Sequence, residues 1–164
     1  MPIDLRNPGR TIHVGVILVD ALRKDSFATC PPLDIVLMGA HHGNYTPNEA
    51  ELAFVRKSYE DSSAFLSICA GMMVFLQAGV LDGKTATGPQ PFLSILKEKH
   101  PETNWVEKRY VRDGKIWTSG ALLNGLDLMK AFVTETFGGP GTLAEAIIEI
   151  GAWPKRDVEY KGGE

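Results

Sequence analysis

Three short, almost purely apolar runs constrain this chain more than anything else in it. "TIHVGVILV" (residues 11–19) is unbroken and rich in β-branched side chains, "LDIVLMGA" (33–40) stops at "HHGN", and "AFLSI" (64–68) runs straight into "CAGMM". Strands with one wet face alternate apolar and polar residues, so continuous runs like these fit strands buried on both faces. Between the second and third runs, "TPNEAELAFVRKSYED" (46–61) predicts a helix instead. Thr46 is the expected N-cap, Pro47 suits the first helical position, and Glu49 completes a capping box. Leu52, Val55 and Tyr59 supply the apolar stripe. Strands alternating with helices argue for an α/β fold whose mainly parallel sheet is covered on both faces.

Beyond the third run, Met72, Met73, Phe75 and Leu76 recur at helical spacing until Gly79 and Gly83 break the pattern in "QAGVLDGK". "TATGP" leads into a helix from Pro91 to Lys99. "WVEKRYVRDGKIWTSG" (105–120) predicts a hairpin, with Val106, Lys108, Tyr110 and Arg112 alternating, a turn at Asp113-Gly114, and a return from Lys115 to Ser119. Helices over 124–138 and 141–151 follow, the second opened by Thr142. The polar stretch 21–32 reads as a connection holding at most a short edge strand. A single domain over 1–164 is expected, with an irregular leader (1–10) and a polar tail (155–164).

At 164 residues, 44% hydrophobic and 23% charged, the chain is sized to bury one core without disulfide staples. A formal net charge of −3 offers no footprint for nucleic acid and no attraction to an anionic membrane. No apolar run approaches the ~20 residues of a membrane span, and "MPIDLRNPGR" lacks the apolar core of a secretory signal. A cytoplasmic protein is expected, with no nucleic-acid or membrane partner. Cys30 and Cys69 form no CxxC pair, and no His/Cys/Asp cluster has metal-ligand spacing, so neither a metal nor another cofactor is expected. Trp105, Trp117 and Trp153 read as packing residues. Arg56, Lys57, Lys97 and Lys99 read as solvated helix faces.

In open parallel sheets, ligands sit at the carboxyl ends of the strands. Two such ends carry unusual chemistry here, "GAHHGN" and Cys69. A residue on a sharp strand-to-helix turn is raised off the sheet with a helix N-terminus behind it. Helix-end N–H groups favour a thiolate and can hold a developing oxyanion. "SICAG" has the small-x-nucleophile-x-Gly shape of a nucleophile elbow, with Ser67 and Gly71 as the small flanks. A buried, inert cysteine is the alternative.

"SICAGMMVFLQAGVLDGKTAT" and "RYVRDGKIWTSGALLNGLDLM" together resemble the ThiJ/PfpI superfamily, within the class I glutamine amidotransferase-like proteins. The nearest flavour is its isonitrile hydratase-like and fungal members. The shared pattern is a strand, a Cys elbow, an "AG-L-G" segment, an "R-V-DGK--TS-G" hairpin and a "G-DL" helix, in that order over residues 33–153. The resemblance implies a flavodoxin-like or Rossmann-like three-layer sandwich, a small-molecule substrate and a homodimer. It makes Cys69 the elbow cysteine and Ala70 the donor of a neighbouring backbone N–H. The backbone of Gly39 and Ala40 becomes the facing oxyanion donor, and His41 and His42 come near the thiol to hold or relay a proton.

The chain departs from the family pattern in three places. Where many members place a His after the elbow helix, "TATGPQPF" offers Gly88 and Pro89. Isonitrile hydratase-like members often carry Thr after the cysteine, and this chain has Ala70. Between the first strand and 33–40, members run through a further helix and strands bearing an acid that hydrogen-bonds the cysteine. Here only 20–32 fills that interval, with Asp20 as the candidate substitute. Such a shortening exposes apolar sheet surface and favours association with another chain. Three readings follow: a cofactor-free cysteine enzyme of isonitrile hydratase-like chemistry, a non-enzymatic thiol redox sensor or interaction module, and a family fold with an incomplete site.

Overall fold

We describe the protein from a computed structural model, which defines residues 13–17, 27–41, 45–153 and 155–160. Within these the chain runs β1 (Val14–Ile17), β2 (Ile35–Met38), α1 (Glu49–Asp61), β3 (Ala64–Ser67), a 3-10 turn (Cys69–Gly71) and α2 (Met72–Gln77). It continues through β4 (Thr85–Ala86), α3 (Gln90–Lys99), β5 (Asn104–Trp105), β6 (Tyr110–Asp113), β7 (Ile116–Ser119), α4 (Asn124–Phe137) and α5 (Leu143–Ile150). The main sheet has the order β1-β2-β3-β7-β6. β1, β2, β3 and β7 are parallel, and β6 folds back antiparallel on β7. The mainly parallel α/β sheet with a hairpin is the architecture expected from the apolar runs.

Successive strand residues divide cleanly between two cores, as a period of two requires. Val36, Met38, Phe65 and Ile116 pack on one face with Val55 of α1, Phe75 of α2, and Leu93 and Leu96 of α3. Ile35, Leu66 and Trp117 pack on the other face with Leu128 and Phe132 of α4. Both faces are therefore dry. This is why the runs show no polar alternation. Phe65, stacked on Phe75 at 4.2 Å between ring centroids, is fully buried.

The α1 cap sits two residues later than the sequence reading. Asn48, not Thr46, is the N-cap; its side chain accepts from the Glu51 N–H at 3.0 Å. The Glu51 carboxylate accepts from the Asn48 N–H at 2.8 Å, so the capping box is Asn48/Glu51. Asn accepts as well as Thr at this position, and the later start leaves Pro47 buried ahead of the helix. Leu52, Val55 and Tyr59 face the core as the stripe implied. The hairpin is shorter than its alternating pattern. Asp113 pairs with Ile116 across Gly114 and Lys115, and Gly114 takes a φ of 61°, a conformation glycine adopts without cost. Trp105 instead pairs with Ala86 in a separate two-stranded ribbon, β4-β5.

Candidate active site

The carboxyl ends of β2 and β3 lie side by side, with Met38 opposite Ser67 in the register. The Ile68 N–H donates to the Met38 carbonyl at 2.9 Å, carrying the pairing one residue past the strand. Cys69 then turns into the left-handed region at φ 55°. That conformation costs a non-glycine residue roughly 1–2 kcal/mol, so the surrounding structure must hold it in place. Cys69 is half-buried.

Gly71 shows what holds it. A Cβ there would lie 2.5 Å from the Met38 carbonyl oxygen and 2.8 Å from that of Gly39. Only glycine lets the first turn after Cys69 press this closely on the end of β2. The Gly71 N–H closes the turn on the Ile68 carbonyl at 3.0 Å. The N–H groups of Cys69 and Ala70 precede that first bond and are not used by it. These are the groups an elbow offers to an oxyanion.

Gly39, Ala40 and His41 follow β2 directly, and Gly39 comes into near contact with Gly71. The His41 ring tilts against Tyr45 at 5.3 Å between centroids, and its Nε2 is buried. His42 and Asp20 lie outside the described residues. At Gly88, a Cβ would come within 2.9 Å of the Met72 Cε. That atom is the tip of the flexible, fully buried Met72 side chain.

The sequence reading missed the other neighbours of the elbow. The Ser119 hydroxyl lies 3.5 Å from the Ser67 carbonyl, joining β7 to β3 just ahead of Cys69. Ile68 lies directly under Gly125 of α4, where a Cβ would be 2.8 Å from its Cγ2. Asn124, Asp127 and Arg109 are buried polar residues near this end of the fold. In sequence Asn124 and Asp127 stood out only as polar residues inside the apolar "ALLNGLDLM", and Arg109 sat unmarked in the charged "EKRYVRDGK". Among the described residues, no group of three or more His, Cys, Asp and Glu side chains could hold a metal ion.

The family model described as the DJ-1/PfpI family matches residues 17–135, well over half of the chain. The chain belongs to the DJ-1/PfpI family. Over 115 residues it is 31% identical to the isonitrile hydratase of Pseudomonas putida, covering 69% of this chain and 50% of that protein. Over 72 residues it is 33% identical to a deglycase of Thermococcus kodakarensis, covering 44% of this chain and 42% of that protein. A ThiJ/PfpI family protein of Pseudomonas syringae superposes with a TM-score of 0.63 at 22% identity, over 84% of this chain and 57% of that one. The superposition bears out the flavodoxin-like layering for a DJ-1/PfpI chain. This chain spans about half the length of the curated relatives it matches. No described helix is long and apolar enough to cross a membrane.

Proposed function

We propose that this DJ-1/PfpI protein is a cofactor-free cysteine enzyme that hydrates a small electrophile, with isonitrile hydratase-like chemistry. The observation that carries the reading is Cys69 held left-handed at the carboxyl end of β3, with Gly71 admitting no side chain against β2. In the proposed cycle the Cys69 thiolate adds to the terminal carbon of R–N≡C, forming a C–S bond, and that carbon takes a proton. The resulting thioimidate, R–N=CH–S–Cys69, is attacked at the same carbon by water. Nitrogen is protonated, the C–S bond breaks, and R–NH–CHO leaves with the thiol restored. No electrons are exchanged with an outside reagent.

The backbone N–H groups of Ala70 and of Gly39 or Ala40 are assigned to the oxygen of the tetrahedral intermediate. His41 and His42 are assigned to proton transfer. Identity to isonitrile hydratase supports this substrate class above others. We further take the protein to be a cytoplasmic homodimer acting on a small molecule. Exposed Leu143, Ile147 and Ile150, one face of α5, supply apolar surface for such an association.

A second reading, a thiol redox sensor without turnover, is favoured by Gly88 and Pro89 standing where many family members place a histidine. One experiment separates the two. Purified protein is assayed for formamide production from a panel of aliphatic isonitriles, and beside it for oxidation under mild peroxide by intact-mass spectrometry. Turnover that disappears in Cys69→Ser supports the hydratase. Turnover that survives in Cys69→Ser rules out the nucleophile. Selective oxidation at Cys69 with no turnover on any isonitrile supports the sensor.

A further inference from the structure

The polar segment near the carboxyl end of the chain makes contacts that bear on the elbow. Arg156 reaches the first turn of α4 from outside. Its Nη2 donates to the Leu123 carbonyl at 2.8 Å and to the Asp127 carboxylate at 2.7 Å, and its Nε lies 3.3 Å from the other carboxylate oxygen. The Asp127 side chain is 4% exposed, so this pair is largely withdrawn from water on the acid's side. Four residues on, the Tyr160 hydroxyl donates to the Asn124 side-chain carbonyl at 2.8 Å. The N-cap position of α4, Leu123, has no side-chain hydrogen bond of its own. The segment does not cap the helix N–H groups; it ties the helix start down by donating to the Leu123 carbonyl and to the Asn124 and Asp127 side chains.

The same segment is anchored to the sheet edge. The Arg109 N–H donates to the Val158 carbonyl at 2.8 Å, and its Nε donates to the Asp157 carbonyl at 3.0 Å. The Arg109 guanidinium stands over the Tyr160 ring at 4.7 Å, and Lys108 pairs with Glu159 at 2.7 Å. The turn between β7 and α4 is gripped from both sides. The Gly120 N–H donates to the Arg109 carbonyl at 2.9 Å. A Cβ on Gly120 would lie 2.7 Å from both the Tyr160 hydroxyl and the Asn124 side-chain oxygen. One turn along, Gly125 sits on Ile68, the residue immediately before Cys69.

We propose that residues 156–160 form a strap that seats the first turn of α4 on Ile68 and thereby sets the orientation of Cys69, with Arg156 and Asp127 as positioning residues. The chain of contact is short. The strap holds Asn124 and Asp127, these fix the helix start, the helix start covers Ile68, and Ile68 leads into the left-handed cysteine. An elbow already held in a costly backbone conformation has an easy route of relaxation if one wall recedes. The inference rests on the reading of Cys69 as a reactive thiol.

The test is the rate of Cys69 alkylation by iodoacetamide across neutral and mildly alkaline pH, with Cys69 and Cys30 peptides resolved by mass spectrometry. Arg156→Ala is expected to slow Cys69 alkylation about tenfold or more and to move the midpoint of its pH profile. Arg156→Lys restores part of the rate, and Tyr160→Phe shifts it in the same direction by less. Arg112→Ala, which breaks the ion pair to Glu135 in the last turn of α4, retains the wild-type rate. A folded Arg156→Ala with wild-type rate and profile overturns the strap, as does an equal loss in Arg112→Ala. Should Arg156→Ala fail to fold, a wild-type rate in Tyr160→Phe overturns it instead. If Cys69 of the wild-type protein reacts no faster than Cys30, the thiol reading itself fails. A reactive wild-type Cys69 that ignores every strap variant overturns the strap alone.

Discussion

Cys69 pays for its position with backbone strain, and the strain is measurable. Replacing it with Ala removes the sulfur but keeps a Cβ at φ 55°. Replacing it with Gly relieves roughly 1–2 kcal/mol of left-handed strain and gives back about 0.4–1 kcal/mol through the looser unfolded chain. Cys69→Gly is therefore expected to have a higher urea midpoint than Cys69→Ala. The reverse order would mean that the elbow is relaxed in solution. The residue type was legible at this scale, because a cysteine between small flanks at the end of an apolar run marks a corner. The reason for Gly71 was not. It lies in the carbonyl oxygens of Met38, the end of β2, and of Gly39 just beyond it, more than thirty positions earlier in the chain.

Among elements, α1 shows how one segment borrows stability from another. Its last turn contains no basic residue, and Glu60 and Asp61 place negative charge at the negative end of the helix dipole. Lys115, from the β6–β7 turn, corrects this. Its ammonium donates to the carbonyls of Tyr59, Glu60 and Ser62 and lies 4.4 Å from the centroid of the Tyr59 ring. Burial pushes its pKa below the ordinary 10.5, with Asp61 and Glu60 acting in the opposite sense. Lys115→Met is expected to lower stability by about 1–2 kcal/mol, within the range for charged hydrogen bonds and dipole pairing. Chemical denaturation checks this, and an unchanged midpoint would show the contacts to be idle. In sequence Lys115 was merely the residue after a turn glycine. The helix and the hairpin were both visible, but not the contact that joins them.

For the molecule as a whole, the strap and the hairpin share a dependence on alkaline pH. Burial raises the phenol pKa of Tyr160 above 10.0; Asp127 and Glu107 add to this while Arg109 and Arg156 oppose it. Tyr110 is raised by burial first and then by Glu135, Asp127 and Asp157. A folded pKa above the unfolded value gives stability that is fully present below 10.0 and is lost as pH rises through the folded pKa. Denaturation midpoints are therefore expected to fall once the pH passes 10.0, and Tyr160→Phe should flatten part of that fall. A midpoint that rises over the same interval would contradict the burial of both phenols.

The order of strands and helices, the dryness of both sheet faces and the corner at Cys69 were written in local pattern. Each follows from the period of apolar side chains, or from small residues where a chain must turn, and such signals act between near neighbours. The β4-β5 ribbon and the strap came from tertiary structure alone. Splitting one alternating run between two sheets and pairing Arg156 with Asp127 both depend on what the fold brings within hydrogen-bond reach. A buried carboxylate takes whichever cation the folded chain delivers, and its sequence neighbours do not say which that will be.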